Sequence, residues 1–182
     1  MTVRVRDATV DDAERIALAH VRSWQAAYAG IIPDDVLAAL DPTERAKGIR
    51  QSLASADRQF VALAGLHDGA VVGFAHIGHY HPEPGGTEVD ESAGEVYGIY
   101  VHPDHWGHGL GRALLEVSVA RLTAEGARPV RLWVLDANEP SRRFYERCGF
   151  AADGATGTFG VDRPAGGRVE LPMVRYTFPA AA

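Results

Sequence analysis

Residues 101–116 read VHPDHWGHGLGRALLE. A strand-like apolar run ends at Val101, a helix-like apolar run begins near Leu110, and Gly107, Gly109 and Gly111 lie at the junction. Glycine lets the main chain turn tightly and lets a ligand approach its N–H groups. A helix start leaves several N–H donors unpaired and carries partial positive charge. The junction is therefore a candidate seat for an anion such as a phosphate.

Two common phosphate loops do not fit. A dinucleotide fingerprint, G-x-G-x-x-G, would need glycine where Arg112 or Leu114 stands. A nucleoside-triphosphate loop ends in Gly-Lys-Ser/Thr, and the only lysine of the chain is Lys47. A third pattern remains, alternating glycines that run directly into the helix RALLE.

Working outward from the junction, EVYGIYV (95–101) predicts a strand and 109–125 a helix with a wide apolar arc. VRLWVL (130–135) predicts a buried strand. DANEPSRRFYERCGF (136–150) predicts a short helix opened by Asn138 and Pro140 and closed by Gly149. Upstream, VRVRD (3–7) reads as a strand, and Thr9 with Asp12 has capping-box spacing. Ala13, Ile16, Ala17, His20, Trp24, Ala27 and Tyr28 give one apolar helical face over 11–28. A second helix starts near Pro33, and helical pattern continues past DPTERA towards Ser55.

Strands 58–65 and 70–80 flank the Asp-Gly turn of LHDG, and 81–94 reads as a polar, acidic loop. Strands at about 151–160 and 168–178 complete the chain. The order β-α-α-β-β-β-α-β-α-β-β is α+β, with one crossover around 95–135 that implies a parallel pair.

The chain has 182 residues, 46% hydrophobic and 23% charged, which suits one globular domain spanning 1–182. Cys148 is the sole cysteine, so neither an intrachain disulfide nor a cysteine-based zinc site is expected. No apolar run is long enough to span a bilayer, and the first residues lack a signal-peptide core. A cytoplasmic protein without a membrane partner is the expectation. A net charge of −6 without a dense basic run argues against nucleic-acid binding. His102, His105 and His108 suggest metal, but Asp104 is the only carboxylate among them, so no metal is expected.

Two blocks in order, YGIYVHPDHWGHGLGRALLE and LWVLDANEPSRRFYERCGF, resemble the core of the GCN5-related N-acetyltransferase (GNAT) superfamily. VRSWQAAYAGIIP (21–33) is similar to the helix-loop-helix of many bacterial members. The resemblance implies a mixed, mostly antiparallel twisted sheet of about seven strands flanked by four or five helices. A splayed parallel pair of strands would form the coenzyme A cleft. It also implies an acetyl-CoA-dependent N-acetyltransferase, passing acetyl directly to a primary amine of a small molecule or peptide N-terminus in a ternary complex. A non-catalytic acyl-CoA-binding or sensor domain is the rival reading.

By the same resemblance, the main chain of Ile99, Tyr100 and Val101 pairs with the pantetheine arm. The loop of Trp106, Gly107, His108, Gly109, Leu110, Gly111 and Arg112 holds the pyrophosphate. Asn138, Ser141 and Phe144 carry the family's second block. Trp106 stands where the family has Arg or Gln, a contact expected to work mainly through the backbone, with His108 and Arg112 as charges that could compensate.

Tyr145 matches the tyrosine whose hydroxyl serves as general acid to the departing sulfur. Glu95 is the candidate base, acting through water on the amine, with Tyr97, Tyr80 and His79 as alternatives. Strand alternation predicts that Glu95, Tyr97, Ile99 and Val101 share a face. Trp24, Tyr28, Tyr80 and Tyr97 are the expected acceptor-pocket residues. The residues alone leave Tyr145 open to a core-filling role and Glu95 to that of a rim charge. Edge strands near the C-terminus allow a homodimer.

Overall fold

A computed structural model describes residues 2–55 and 60–178. Its elements are β1 (Val3–Asp7), α1 (Ala13–Ala27), α2 (Asp34–Ala38), α3 (Pro42–Ala54), β2 (Phe60–His67), β3 (Ala70–Tyr80) and β4 (Asp90–Val101). Then follow α4 (Leu110–Ala124), β5 (Val130–Leu135), α5 (Glu139–Arg147), β6 (Ala151–Asp162) and β7 (Arg168–Phe178). The predicted start of β2 at residues 58 and 59 lies outside the described residues.

The expected second helix is divided. Asp41 accepts a hydrogen bond from the Thr43 N–H at 2.7 Å and Pro42 opens α3, so the chain restarts there as a new helix. Upstream, the Asp12 carboxylate accepts the Thr9 N–H at 2.8 Å and is held by Arg6 at 2.6 and 2.8 Å. That fixes the entry into α1 through one helical turn at residues 10–12.

The seven strands form one sheet in the order β1-β2-β3-β4-β5-β7-β6. Among the described residues only β4 and β5 pair in parallel, as the helical crossover α4 requires. Their pairing is confined to Gly94 opposite Val130 and Glu95 opposite Arg131, and beyond that the strands part. The sheet is thus zipped at one end of this pair and open at the other.

α4 and α5 cover one face. Leu110, Leu114, Leu115 and Leu122 of α4 join Val96, Val101, Leu132 and Tyr145 in a common core. Burial of each such leucine contributes about 1.5–3 kcal/mol. On the other face, α1 and α3 pack Ile16, Ala17, Ile49 and Leu53 on Ala62, Ala64 and Phe74. A third cluster joins α2 to Leu135 and Val161.

β4 begins at Asp90, five residues earlier than the polar composition of 81–94 predicts. The backbone explains this: Arg128 N–H donates to Ser92 C=O at 2.8 Å and Gly94 N–H to Pro129 C=O at 3.0 Å. Ladder partners recruit a segment whose side chains carry no strand signal. The register of β3 on β4 also shifts, from His76 opposite Gly98 to Ile77 opposite Val96, leaving Tyr97 as an extra residue in a bulge.

Candidate functional site

The phosphate-loop candidate is built mainly of main chain. Gly107 and Gly109 have φ of +79° and +84°, a left-handed conformation that disfavours any side chain. A Cβ at either position would meet nothing within 4 Å, so the strand-to-helix turn faces open space. Gly109 caps α4, and the first helical bond closes from Ala113 N–H to Gly109 C=O at 3.0 Å. The N–H groups of Leu110, Gly111 and Arg112 therefore lack helical acceptors and carry the positive end of the helix. The shape and polarity suit a pyrophosphate.

Trp106 differs from expectation. Its main-chain N–H is already donated to Pro103 C=O at 3.0 Å, so it is not offered to a ligand. Its indole Nε1–H instead donates to Val101 C=O at 2.7 Å, while the ring remains 46% exposed. Trp106 ties the loop to the end of β4.

The gap between β4 and β5 presents alternate residues. His102 N–H bonds to Val72 C=O at 2.8 Å, so residue 102 faces β3. By strand alternation Tyr100 also turns its main chain towards β3, whereas Ile99 and Val101 turn theirs into the gap. The expected pantetheine contacts narrow to Ile99 and Val101. The Tyr100 side chain lies on the α1 face, packed 5.3 Å from Phe74 and 4.9 Å from His20, between ring centroids. Gly98 makes room for it: a Cβ there would come within 2.6 Å of the Tyr100 ring.

α5 carries Tyr145 into the core it shares with α4 and β4, within electrostatic reach of Tyr100. Asn138, itself buried, accepts the Ser141 N–H at 3.2 Å and so caps the helix. Phe144 lies beside the loop, its ring 3.6 Å from where a Cβ on Gly111 would stand. Tyr145 is buried, and burial drives its hydroxyl well above the usual phenol range, with Tyr100 and Cys148 adding to the shift. Tyr28 is likewise pushed up by burial, then by Tyr100 and Tyr145. Three phenols thus converge from α1, β4 and α5.

Around them, Trp24 packs edge-on against Tyr28 at 5.1 Å and against Phe159 at 6.2 Å. The Trp24 indole N–H is buried and reaches no acceptor in good hydrogen-bond geometry, though the Tyr100 hydroxyl is its neighbour. His20 is lowered to about 3 by burial, then by Arg45 and His76, and His76 falls to about 4 by burial and Arg45. Both imidazoles are therefore neutral near pH 7.

One expectation at the zipped end needs correction. Glu95 does not share a face with Ile99 and Val101, because the bulge at Tyr97 inverts the alternation. Val96, Ile99 and Val101 all pack on the α4 side, which leaves Glu95 on the side of Tyr100 and α1. Tyr80, expected in the acceptor wall, is 2% exposed. Its hydroxyl is engaged by Arg175 at 2.5 Å, and the Arg131 guanidinium stacks on its ring at 4.6 Å.

Glu95 is 6% exposed, and its Oε2 accepts both the His81 main-chain N–H at 2.8 Å and the His81 ring at Nδ1, 3.2 Å away. Burial pushes its carboxyl up while His81 pulls it back. The Tyr97 hydroxyl donates to His79 C=O at 2.6 Å, and its ring lies 5.3 Å from the His81 ring. His81 was absent from the sequence-based candidates. The only signal for it is its place in the chain, just after β3 and before Pro82.

Near the loop, His67 and His105 meet through their Nδ1 atoms at 2.8 Å, and His108 packs on His67 with 5.1 Å between centroids. Among the described residues no group of three or more His, Cys, Asp or Glu is arranged to hold a metal ion. No described helix is long and apolar enough to cross a membrane.

The Acetyltransferase (GNAT) family profile matches residues 19–150. The chain belongs to this family. It is an acetyltransferase by that membership, and its relatives carry the same chemistry in their names. It is 35% identical over 144 residues to the uncharacterized N-acetyltransferase YuaI of Bacillus subtilis (strain 168), covering 79% of this chain and 78% of that one. It is 46% identical over 67 residues to a mycothiol acetyltransferase of Geodermatophilus obscurus, covering 37% of this chain and only 22% of that protein.

Among solved GNAT structures, the PaiA N-acetyltransferase of Thermoplasma acidophilum, in complex with coenzyme A, shares the fold at a TM-score of 0.67 and 18% identity. The match covers 96% of this chain and 98% of that one. The Escherichia coli ribosomal-protein-S18-alanine N-acetyltransferase matches at 0.62 and 18% identity, covering 100% of this chain and 97% of that one.

Proposed function

We propose that this GNAT protein transfers the acetyl group of acetyl-CoA directly to a primary amine, of a small molecule or a peptide N-terminus, within a ternary complex. The carrying observation is the gap itself. β4 and β5 part after Glu95 and Arg131, and the main chain of Ile99 and Val101 turns into the opening. The open-faced turn at Gly107 and Gly109 stands beyond its wide end. In this reading the turn and the first N–H groups of α4 hold the pyrophosphate, and Ile99 and Val101 hold the pantetheine arm as an added strand would be held.

The chemistry requires a bond from the amine nitrogen to the acetyl carbon, cleavage of the carbon–sulfur bond, and removal of one proton from the amine. Tyr145 donates its hydroxyl proton to the departing sulfur. Burial keeps that hydroxyl protonated until it is needed. Tyr28, Trp24 and Phe159 form an apolar wall on the acceptor side. A single domain over 1–182, a cytoplasmic setting and a homodimer through the exposed edge strand β6 belong to the same proposal.

Calorimetric titration with acetyl-CoA, NAD and ATP, followed by thiol release with a panel of amines, tests it. Acetyl-CoA alone should bind, and at least one primary amine should release coenzyme A. No binding of acetyl-CoA would sink the reading. Binding without turnover on any amine would leave only a cofactor-binding domain.

A further inference from the structure

We propose that His81, backed by Glu95, is the catalytic base that takes the proton from the acceptor amine. This rests on the reaction proposed above and assigns the group that reading leaves open. Glu95 itself is poorly placed to meet a substrate. It is 6% exposed, and Oε2 is occupied twice by His81. The His81 side chain, in contrast, is 24% exposed.

In its ionised form Glu95 can only accept hydrogen bonds, and in that form it would hold the His81 proton on Nδ1 and leave the Nε2 lone pair to the amine. The ring is fixed from several sides. The His81 N–H is tied to Glu95, its C=O accepts the Trp133 indole N–H at 3.3 Å, and Tyr97 lies against the ring.

The position along the strand also fits. Glu95 forms the last rung of the β4–β5 ladder, opposite Arg131. It lies six residues before Val101, or about 20 Å of strand at about 3.3 Å per residue. A pantetheine arm laid along β4 from the glycine turn therefore points its acyl end towards the dyad.

His81 Nε2 takes one proton from the bound ammonium, which frees the lone pair that bonds to the acetyl carbon; the second proton the nitrogen sheds in forming the amide balances the one that Tyr145 gives the sulfur as the carbon–sulfur bond breaks. Glu95 stabilises the resulting imidazolium, and Tyr145 supplies the sulfur with its proton. The titratable groups next to the pair are Tyr97 on β4, whose ring meets that of His81, and Arg131 on β5, opposite Glu95; beyond them Arg131 stacks on Tyr80 of β3, whose hydroxyl accepts from Arg175 of β7. Arg131 and Arg175 are occupied with the Tyr80 ring and hydroxyl.

The test uses the full chain and an amine that the wild type acetylates. His81→Ala should lower kcat about 100-fold or more, the range for loss of a general base. Acetyl-CoA affinity should stay within about twofold. The deficit should shrink as pH rises, because the free amine then needs no base, and added imidazole should restore part of the rate. His81→Gln, which keeps size and polarity, should show the same loss, and it stands in if the alanine variant fails to fold. Glu95→Gln should give a smaller loss than His81→Ala.

Unchanged kcat and pH profile in both His81 variants would overturn the proposal. So would a loss on Glu95→Gln with none on His81→Ala, which would make Glu95 the base. A wild-type protein that acetylates no amine would instead overturn the underlying reaction.

Discussion

The two ends of the gap between β4 and β5 are made of different material. At the wide end, next to α4, the candidate cofactor seat is main chain: left-handed glycines, helical N–H groups and two strand residues. At the zipped end and along α1, the candidate acceptor region is side chain: a histidine–glutamate pair, three phenols and two neutral imidazoles. The first arrangement suits a ligand part that every member of a family shares. The second depends on the identity of individual side chains. Substitutions at the wide end should therefore act through backbone geometry and alter affinity, whereas those at the other end should alter chemistry or proton binding.

Tyr145→Phe is the strongest test of that division, since the residue enters from the cofactor side but does proton chemistry. We expect kcat to fall about 100- to 1,000-fold, within the range for a lost general acid. The acetyl-CoA dissociation constant, read by calorimetry, should stay within about twofold. Comparable losses in kcat and affinity would mean that the phenol is a binding wall, and the division would fail at its centre.

The imidazoles of the α1 face give the next largest effect. The folded pKa of His20, about 3, lies below the ordinary value near 6.5, so the unfolded chain takes the proton first as pH falls. Stability is then full above about pH 6.5 and drains towards pH 3, at about 1.4 kcal/mol per pH unit. His76, at about 4, has the same sign. Urea unfolding at pH 7 and pH 5 should show a loss of about 2 kcal/mol from His20 alone. His20→Leu should remove that share of the slope. Glu95, which burial pushes up, works with the opposite sign and gains stability as pH falls, so the measurement is the difference between the wild type and His20→Leu, in which that contribution cancels. An unchanged slope in His20→Leu would show that the imidazole is not held neutral.

The same division governs what can be read without coordinates. The wide end is local: Gly107 and Gly109, the cap at Asn138 and the helix termini lie close together in the chain and obey short-range rules. Their spacing therefore carries them. The parallel pair followed from the length of the crossover, which only a helix could fill. The zipped end is not local. One extra residue at Tyr97 exchanges the faces of β4, and no alternation rule detects a bulge that its partner strand imposes.

For the same reason alternation alone gives Glu95 the wrong face. His81 is joined to Glu95 across 14 residues, through a loop whose composition says only that it is polar. Gly98 was the one local hint. The structure shows that it serves the Tyr100 ring, one residue beyond the bulge.

Gly109→Val tests the wide end directly. Nothing crowds the position, so the variant suffers only from φ of +84°, which costs a residue with a side chain about 1–2 kcal/mol. If the turn relaxes to escape that strain, the N–H groups move and acetyl-CoA binding should weaken about tenfold. kcat at saturating cofactor should change little. A loss confined to kcat would show that the turn does not hold the cofactor.

The smallest effect, and the finest discriminator, is at Trp106. Its indole N–H holds Val101 C=O at 2.7 Å, and the ring is exposed enough for water to replace it. Trp106→Phe keeps the ring and loses the donor, so the net cost should be about 0.5–1.5 kcal/mol. If the bond positions the loop against β4, that cost appears as a threefold to tenfold weaker acetyl-CoA affinity. Trp106→Arg separates geometry from charge. A guanidinium could attract phosphate but would give up the tie to Val101, so little net tightening is expected at physiological salt, where the Debye length is about 8 Å. A large tightening that fades as salt is raised would show that this end also relies on side-chain charge. The contrast between a main-chain end and a side-chain end would then have to be redrawn around Trp106.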